Sequence, residues 1–253
     1  MNARTNWILA CTCVALGFAV SSASAALYNI DWLNMAPTPF GSSVPNNSVF
    51  FLPNVGNVTV TYSLPNGFSD ARFQNPDLAN GNLVVGTDTY SWTSQELFGA
   101  TNLTSTNPIV GVPWRITYTF PGTQAPGKIY LGVSGLGQTT SFGGGASTAT
   151  VNQTGAFLGD WSGAGGPWGP TQFTPGPPFQ MQNSLTGAGG ADPWWNTPLG
   201  VVQINDPISS LTVDFSQISG DGVGVNIGAT PEPAGAALLG VGALLTLRRR
   251  RCA

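Results

Sequence analysis

Chemistry in this chain falls to carboxylates, hydroxyls, amides and indoles, because its 253 residues include no histidine. That absence removes His-based triads, the commonest general base and the ordinary zinc ligand sets. Cys11, Cys13 and Cys252 all lie in the terminal segments, so the span between them has no thiol nucleophile and no disulfide. Among residues 26–229 there is one glutamate, Glu96. A two-carboxylate glycosidase would therefore need an aspartate beside it. Asp70 and Asp77 flank Ala71-Arg72-Phe73, but no spacing ties either to Glu96. Gly132-Val133-Ser134-Gly135-Leu136 departs from a nucleophile elbow at Leu136, where glycine is required, and reads as the edge of a strand. The expectation is a protein that is not an enzyme. A secreted polysaccharide-active enzyme using Asp and Glu is the alternative.

Hard cations take carboxylate and carbonyl oxygens, so calcium is the metal these residues suit. Asp31, in an early strand, and Asp214, in a late one, are the candidate ligands of a calcium-stabilised module. Asp206 in Asn205-Asp206-Pro207 and Asp221 in a Gly-rich turn read equally as turn formers. The indoles offer a different chemistry. Trp194 and Trp195 follow Asp192-Pro193, with Asn183, Asn196 and Thr197 nearby in sequence, and a flat ring can stack on the apolar face of a sugar. The competing reading makes them staples that fix a loop on the core. Adjacent residues on a strand point to opposite sides, so the two need not share a role.

Charge narrows the partners. Residues 26–229 carry ten acidic residues against only Arg72, Arg115 and Lys128. A surface this poor in cations excludes nucleic acid as a partner. Charged residues make up 8% of the chain while hydrophobic ones reach 42%, which is the opposite of a disordered composition.

Elements to hold these groups follow from period-two alternation, the mark of strands with one buried face. Val58, Val60, Tyr62 and Leu64 share one side of NVTVTYSL, and Ile116, Tyr118 and Phe120 one side of ITYTF. Ile129, Leu131 and Val133 repeat the pattern, as do Leu211, Val213 and Phe215, and then Val223, Val225 and Ile227. Ser219-Gly220-Asp221-Gly222 sits between the last two runs in a hairpin position. No segment of the body has capped helical periodicity, and Gln95–Ala100 allows one helical turn at most. The pattern predicts an all-β protein: a single antiparallel β-sandwich over 26–229 with jelly-roll-like connections. Within it, Gly155–Gly200 holds eleven glycines and seven prolines with four tryptophans, and reads as a long excursion or an irregular edge. Phe157, Leu158 and Phe173 are its expected anchors on the core.

The two ends are addresses. Arg4, the apolar run Trp7–Val20 and the small residues of Ala23-Ser24-Ala25 form a signal peptide over 1–25, with cleavage after Ala25. At the other end, 230–253 opens on Pro231-Glu232-Pro233, continues with the uncharged segment 234–247 and finishes on Arg248, Arg249, Arg250 and Arg251. A helix over 234–247 would reach roughly 20 Å, short of a hydrocarbon core of about 30 Å, with the arginines held at the cytoplasmic headgroups. These three parts in this order resemble the PEP-CTERM sorting signal of bacterial exported proteins. The resemblance covers the tail alone. It implies recognition by an exosortase-type processing enzyme, a transient membrane anchor, and association with exopolysaccharide at the cell surface or in the extracellular matrix. The expected product is a structural or adhesive surface protein.

The tail generates a direct measurement. Intact-mass analysis of the surface-associated protein from its host should show molecules that have lost Arg248–Arg251. Retention of all four arginines on most molecules would leave a simple C-terminal anchor in place of a processed one.

Overall fold

The structure is a computed structural model that describes residues 25–35, 44–64, 68–74, 81–92, 97–102, 112–137, 146–161, 169–184, 196–217 and 223–231. All its regular elements are strands: β1 (Leu27–Asn29), β2 (Asp31–Trp32), β3 (Ser48–Leu52), β4 (Gly56–Ser63), β5 (Phe68–Gln74), β6 (Gly81–Val85), β7 (Asp88–Trp92), β8 (Leu97–Asn102) and β9 (Val112–Gln124). The second half adds β10 (Ile129–Ser134), β11 (Thr148–Val151), β12 (Gly155–Trp161), β13 (Thr171–Thr174), β14 (Phe179–Asn183), β15 (Leu199–Ile204), β16 (Ile208–Gln217) and β17 (Val223–Ala229). Among the described residues no helix is long and apolar enough to cross a membrane. The signal peptide and the 234–247 segment lie outside those residues.

Three sheets result. The broad sheet runs β13-β14-β11-β16-β9-β4-β3, the middle sheet β12-β15-β10-β17-β8-β5 with β2 also on β17, and the small sheet β1-β7-β6. Pairing is antiparallel throughout, except that β1 lies parallel to β7. From β9 onward the chain folds as a nested series: β9 pairs β16, β10 pairs β15 and β11 pairs β14. The series closes where the backbone N–H of Thr171 in β13 donates to Asp160 Oδ2 in β12 at 2.8 Å.

The alternating runs become the main core. Val58, Val60, Ile116, Tyr118, Leu211, Val213 and Phe215 of the broad sheet meet Ile129, Leu131, Val133, Val225 and Ile227 of the middle sheet in one cluster. Each such aliphatic side chain, fully buried, contributes about 1.5–3 kcal/mol. The middle sheet, however, is buried on both faces. Tyr130, Leu199 and Val201 point away from the main core into a second cluster with Ile30, Trp32, Tyr90 and Trp92. There Trp32 meets Trp92 edge-on at 6.0 Å, Trp92 meets Trp161 at 5.6 Å, and Tyr28 stacks on Tyr90 at 4.8 Å. Glycine makes this seam close. A Cβ on Gly132 would lie 2.8 Å from the Trp32 ring, and one on Gly81 would lie 2.6 Å from Trp92 Cε2 and 2.7 Å from Trp161 Cε2.

Two local expectations are corrected. β16 and β17 do not form a hairpin: β16 pairs β9 and β11, whereas β17 pairs β10, β8 and β2. Their apolar faces meet across the main core, where Phe215 and Val225 belong to one cluster but not to one ladder. The single helical turn allowed over Gln95–Ala100 is also absent, since Leu97–Asn102 is a strand between β17 and β5. Backbone pairing on both sides outweighs a weak local propensity. The Gly155–Gly200 stretch supplies β12 and β13, the edge strands of two sheets, together with β14 and the start of β15. Phe157 and Phe173 pack against the main core and Leu158 against the second cluster.

The aromatic seam predicts an alkaline limit. Burial pushes the Tyr90 phenol up to about 12, helped by the neighbouring Tyr130, Tyr28 and Asp88, and burial raises Tyr130 and Tyr118 as well. Unfolded tyrosine releases its proton near pH 10, so between that pH and the folded value the unfolded chain binds fewer protons. Stability is therefore complete below about pH 10 and falls as pH rises above it. Melting temperature against pH, read with tyrosinate absorbance, should show this break. A melting curve flat through pH 12 would contradict the seam.

Candidate functional site

Several residues singled out in the sequence lie outside the described residues: Ala23, Asp77, Glu96, Trp194, Trp195, Glu232, Pro233 and Arg248–Arg251. Asp70 lies within β5. Ala25 and Pro231 are exposed, at the two margins of the folded part. β17 ends at Ala229, and Pro231, having no N–H, cannot extend its ladder.

The two calcium candidates do not share a site. Asp31 Oδ2 accepts from Asn54 Nδ2 at 3.0 Å, in the turn before β4 begins. Asp214 sits in the row of Ser63, at the far end of that eight-residue strand, roughly 20 Å or more away. Its carboxylate is bound instead by Arg115 Nε at 2.5 Å. Among the described residues no group of three or more Asp, Glu, Cys or His comes together. Asp206, in the link between β15 and β16, ties that link to the turn before β12: its carboxylate accepts from the backbone N–H and the hydroxyl of Thr154. Asp160 is the acid that burial pushes upward, and its bond to the Thr171 N–H ties β12 to β13, which is a structural task.

Among the described residues the outer face of the broad sheet is an organised polar surface, which the same alternation that built the core turns toward solvent. Register sets its side chains in rows. Thr59, Thr119 and Ser210 lie across β4, β9 and β16, and Thr61, Thr117 and Thr212 form the next row. A third row runs Ser63, Arg115, Asp214, Thr150, Gln180 and Thr174 across six strands. Pro113, Ser216, Thr148, Gln182 and Gln172 make a fourth. With neighbouring strands about 4.8 Å apart, seven strands give a surface roughly 28 Å wide.

Side chains on this face are held by one another. Thr117 and Thr212 share a hydrogen bond of 3.0 Å between hydroxyls, Gln180 Nε2 donates to Thr150 Oγ1 at 3.2 Å, and Gln182 Nε2 donates to Gln172 Oε1 at 2.8 Å. Among the described residues the face bears one charge of each sign, Arg115 and Asp214, and these neutralise each other. Beside them lies an open groove of about 260 Å³ lined by Ser63, Pro113, Trp114, Arg115 and Asp214. At the β3 edge the face becomes apolar: Phe51 is 61% exposed next to Asn57, and Val49 is 56% exposed next to Thr59.

Of this face the sequence singles out only Asp214, as a calcium candidate. The Thr-x-Thr pairs were visible only as the polar half of buried strands, and Phe51 stood in the run Ser48-Val49-Phe50-Phe51-Leu52, where nothing distinguishes the inward ring from the outward one. Chemically the face offers a neutral, hydrogen-bonding plane with an aromatic ring at one margin. Compared with known proteins, the chain matches no family model, no curated protein and no solved structure.

The ion pair on this face should contribute little to folding. Both side chains are more than half exposed, where water screens the pair and little stability is gained. Arg115→Ala and Asp214→Ala should each leave the urea unfolding midpoint nearly unchanged. A large fall in the midpoint from either would make the pair a structural element.

Proposed function

We propose that this is an exported bacterial cell-surface or matrix protein, structural and adhesive in role, whose broad sheet binds neutral exopolysaccharide. The nested pairing of β9 to β16 supports reading the folded part as a β-sandwich with jelly-roll connections. Support for export comes from the 1–25 signal peptide and from the tail beginning at Pro231. On this reading an exosortase-type enzyme is the processing partner, and the membrane anchor is transient.

The observation that carries the binding role is the near-neutral polar face, with Phe51 exposed at its margin. A polymer of sugar rings presents alternating hydroxyls and apolar ring faces. Rows of threonine, serine and glutamine match the hydroxyls by exchanging hydrogen bonds in either direction, since hydroxyls and amides both donate and accept. The Phe51 ring matches the apolar ring faces. A face with no net charge neither attracts phosphate-rich polymers nor repels neutral ones. Pre-formed side-chain bonds lower the ordering cost of binding a long, flat ligand.

Affinity electrophoresis of the exported protein in gels cast with neutral polysaccharide tests this reading. Retardation is expected for the native chain. Phe51→Ala and Thr119→Glu should each weaken it about tenfold, the size of one lost contact of about 1.4 kcal/mol, with melting temperature unchanged. Migration of both variants like the native chain, or no retardation at all, would end the assignment of this face. Release of reducing sugar from the polymer would replace the adhesive reading with an enzymatic one.

A further inference from the structure

The small sheet begins at the residue that export would make the first of the mature chain. β1 pairs with β7 from Leu27, opposite Thr89. One residue earlier, Ala26 is already fixed at both its backbone groups. Its carbonyl accepts from the Thr89 N–H at 2.8 Å, and its nitrogen donates to Asp88 Oδ1 at 3.1 Å in a partly buried contact. Ala25, immediately before it, is exposed. Asp88 is itself well placed: it opens β7 directly after the two-residue turn Gly86-Thr87, where Gly86 has φ of 63°. Its cross-strand partner is Val85.

We propose that the α-ammonium group freed at Ala26 by signal cleavage is captured by the Asp88 carboxylate, and that this ion pair locks β1 onto the small sheet only in the processed protein. The proposal rests on the export reading. Hydrolysis of the Ala25–Ala26 amide consumes one water. Its oxygen completes the new carboxylate of Ala25, and Ala26 keeps its nitrogen as an amine that is protonated at neutral pH. Before cleavage, the contact at 3.1 Å is a neutral amide donating to a carboxylate. After cleavage, the same two atoms carry opposite charges, so a Coulomb attraction adds to a bond that the carboxylate already strengthens. No backbone movement is required, because the Ala26 nitrogen is already at bonding distance. The gain reaches the seam between sheets through Tyr28, two residues along β1, whose ring stacks on Tyr90. Processing therefore tightens the attachment of the small sheet to the middle one.

The test is a thermodynamic cycle on the chain from Ala26 to Ala253, made with and without Ser24-Ala25 ahead of it, each with Asp88 intact and with Asp88→Asn. The free Ala26 terminus should raise the melting temperature by about 1–4 °C over the extended chain. That gain should vanish in the Asp88→Asn pair. Acetylation of the Ala26 amine, which leaves Asp88 untouched, should abolish it equally. Equal melting of the two Asp88 chains, or a gain that survives Asp88→Asn, overturns the capture. Terminal sequencing of the exported protein separates the two premises. A first residue other than Ala26 overturns the proposal through the cleavage site, and Ala26 with no coupling overturns it through the contact.

Discussion

A sheet buried on both faces is the constraint on which the rest of this structure depends. The middle sheet cannot alternate polar with apolar, because the main core lies on one side and the aromatic seam on the other. All seven residues of β17 are buried, and β10 keeps only Ser134, at its end, partly open. The sequence meets this demand with Gly224, Asn226 and Gly228 in alternation with Val223, Val225 and Ile227, which face the main core. Asn226 satisfies its amide by donating to the Leu33 carbonyl at 3.1 Å, and its Oδ1 accepts from the Ile227 N–H at 2.8 Å. The layer above must then bring large rings to fill what the glycines leave open. Trp32, Trp92, Trp161 and Tyr90 do so, at the cost of leaving the Trp32 and Trp92 indole N–H groups without partners. Each such orphan costs about 1–3 kcal/mol, within what burying a large aromatic surface offsets.

This constraint also divides what was legible from what was not. The broad sheet has one wet face, so its strands carry the full alternating signal, and the inward residues of β4, β9 and β16 are those the period selects. The third layer left no such signal. β6 and β7 contain Leu83, Val85, Tyr90 and Trp92, which a two-layer reading has nowhere to place. Tyr130 and Gly132 occupy the positions between Ile129, Leu131 and Val133, where period-two alternation by itself assigns no core. The β16–β17 error has the same origin. A Gly-rich link between two strands favours a hairpin locally, and only the sheet each strand joins decides otherwise. Sheet membership depends on contacts distant in sequence, and no short window contains them.

The candidate site follows a similar logic. Of the indoles in the Gly/Pro-rich stretch, Trp161 packs against the seam, while Trp194 and Trp195 lie outside the described residues. The residues that form an organised surface are threonine, serine and glutamine, which look ordinary one strand at a time. Register converts them into rows, since cross-strand partners share a side and lie close enough to bond. Asp214 illustrates the difference. In the sequence it is an isolated carboxylate available to a cation; in the sheet its neighbour is Arg115, and the pair makes the face neutral.

The exposed edge gives the proposed role a physical motive. An edge strand with open backbone groups and outward apolar residues invites pairing with other chains, and proteins that stay dispersed guard such edges with lysine, proline or a covering segment. β3, the edge of the broad sheet among the described residues, reads Ser48-Val49-Phe50-Phe51-Leu52, with no charge and no proline, and Val49 and Phe51 point outward. The ten acidic residues of 26–229 outnumber the three basic ones, but none of that charge lies on β3. Such a surface is a liability for a freely diffusing protein. On the proposed reading it is covered: a polysaccharide lying along the broad sheet would shield Phe51 and occupy the margin where a second chain would otherwise add. The same lack of charge that leaves the edge unguarded makes the adjoining face compatible with a neutral polymer, so the two features are consequences of one composition.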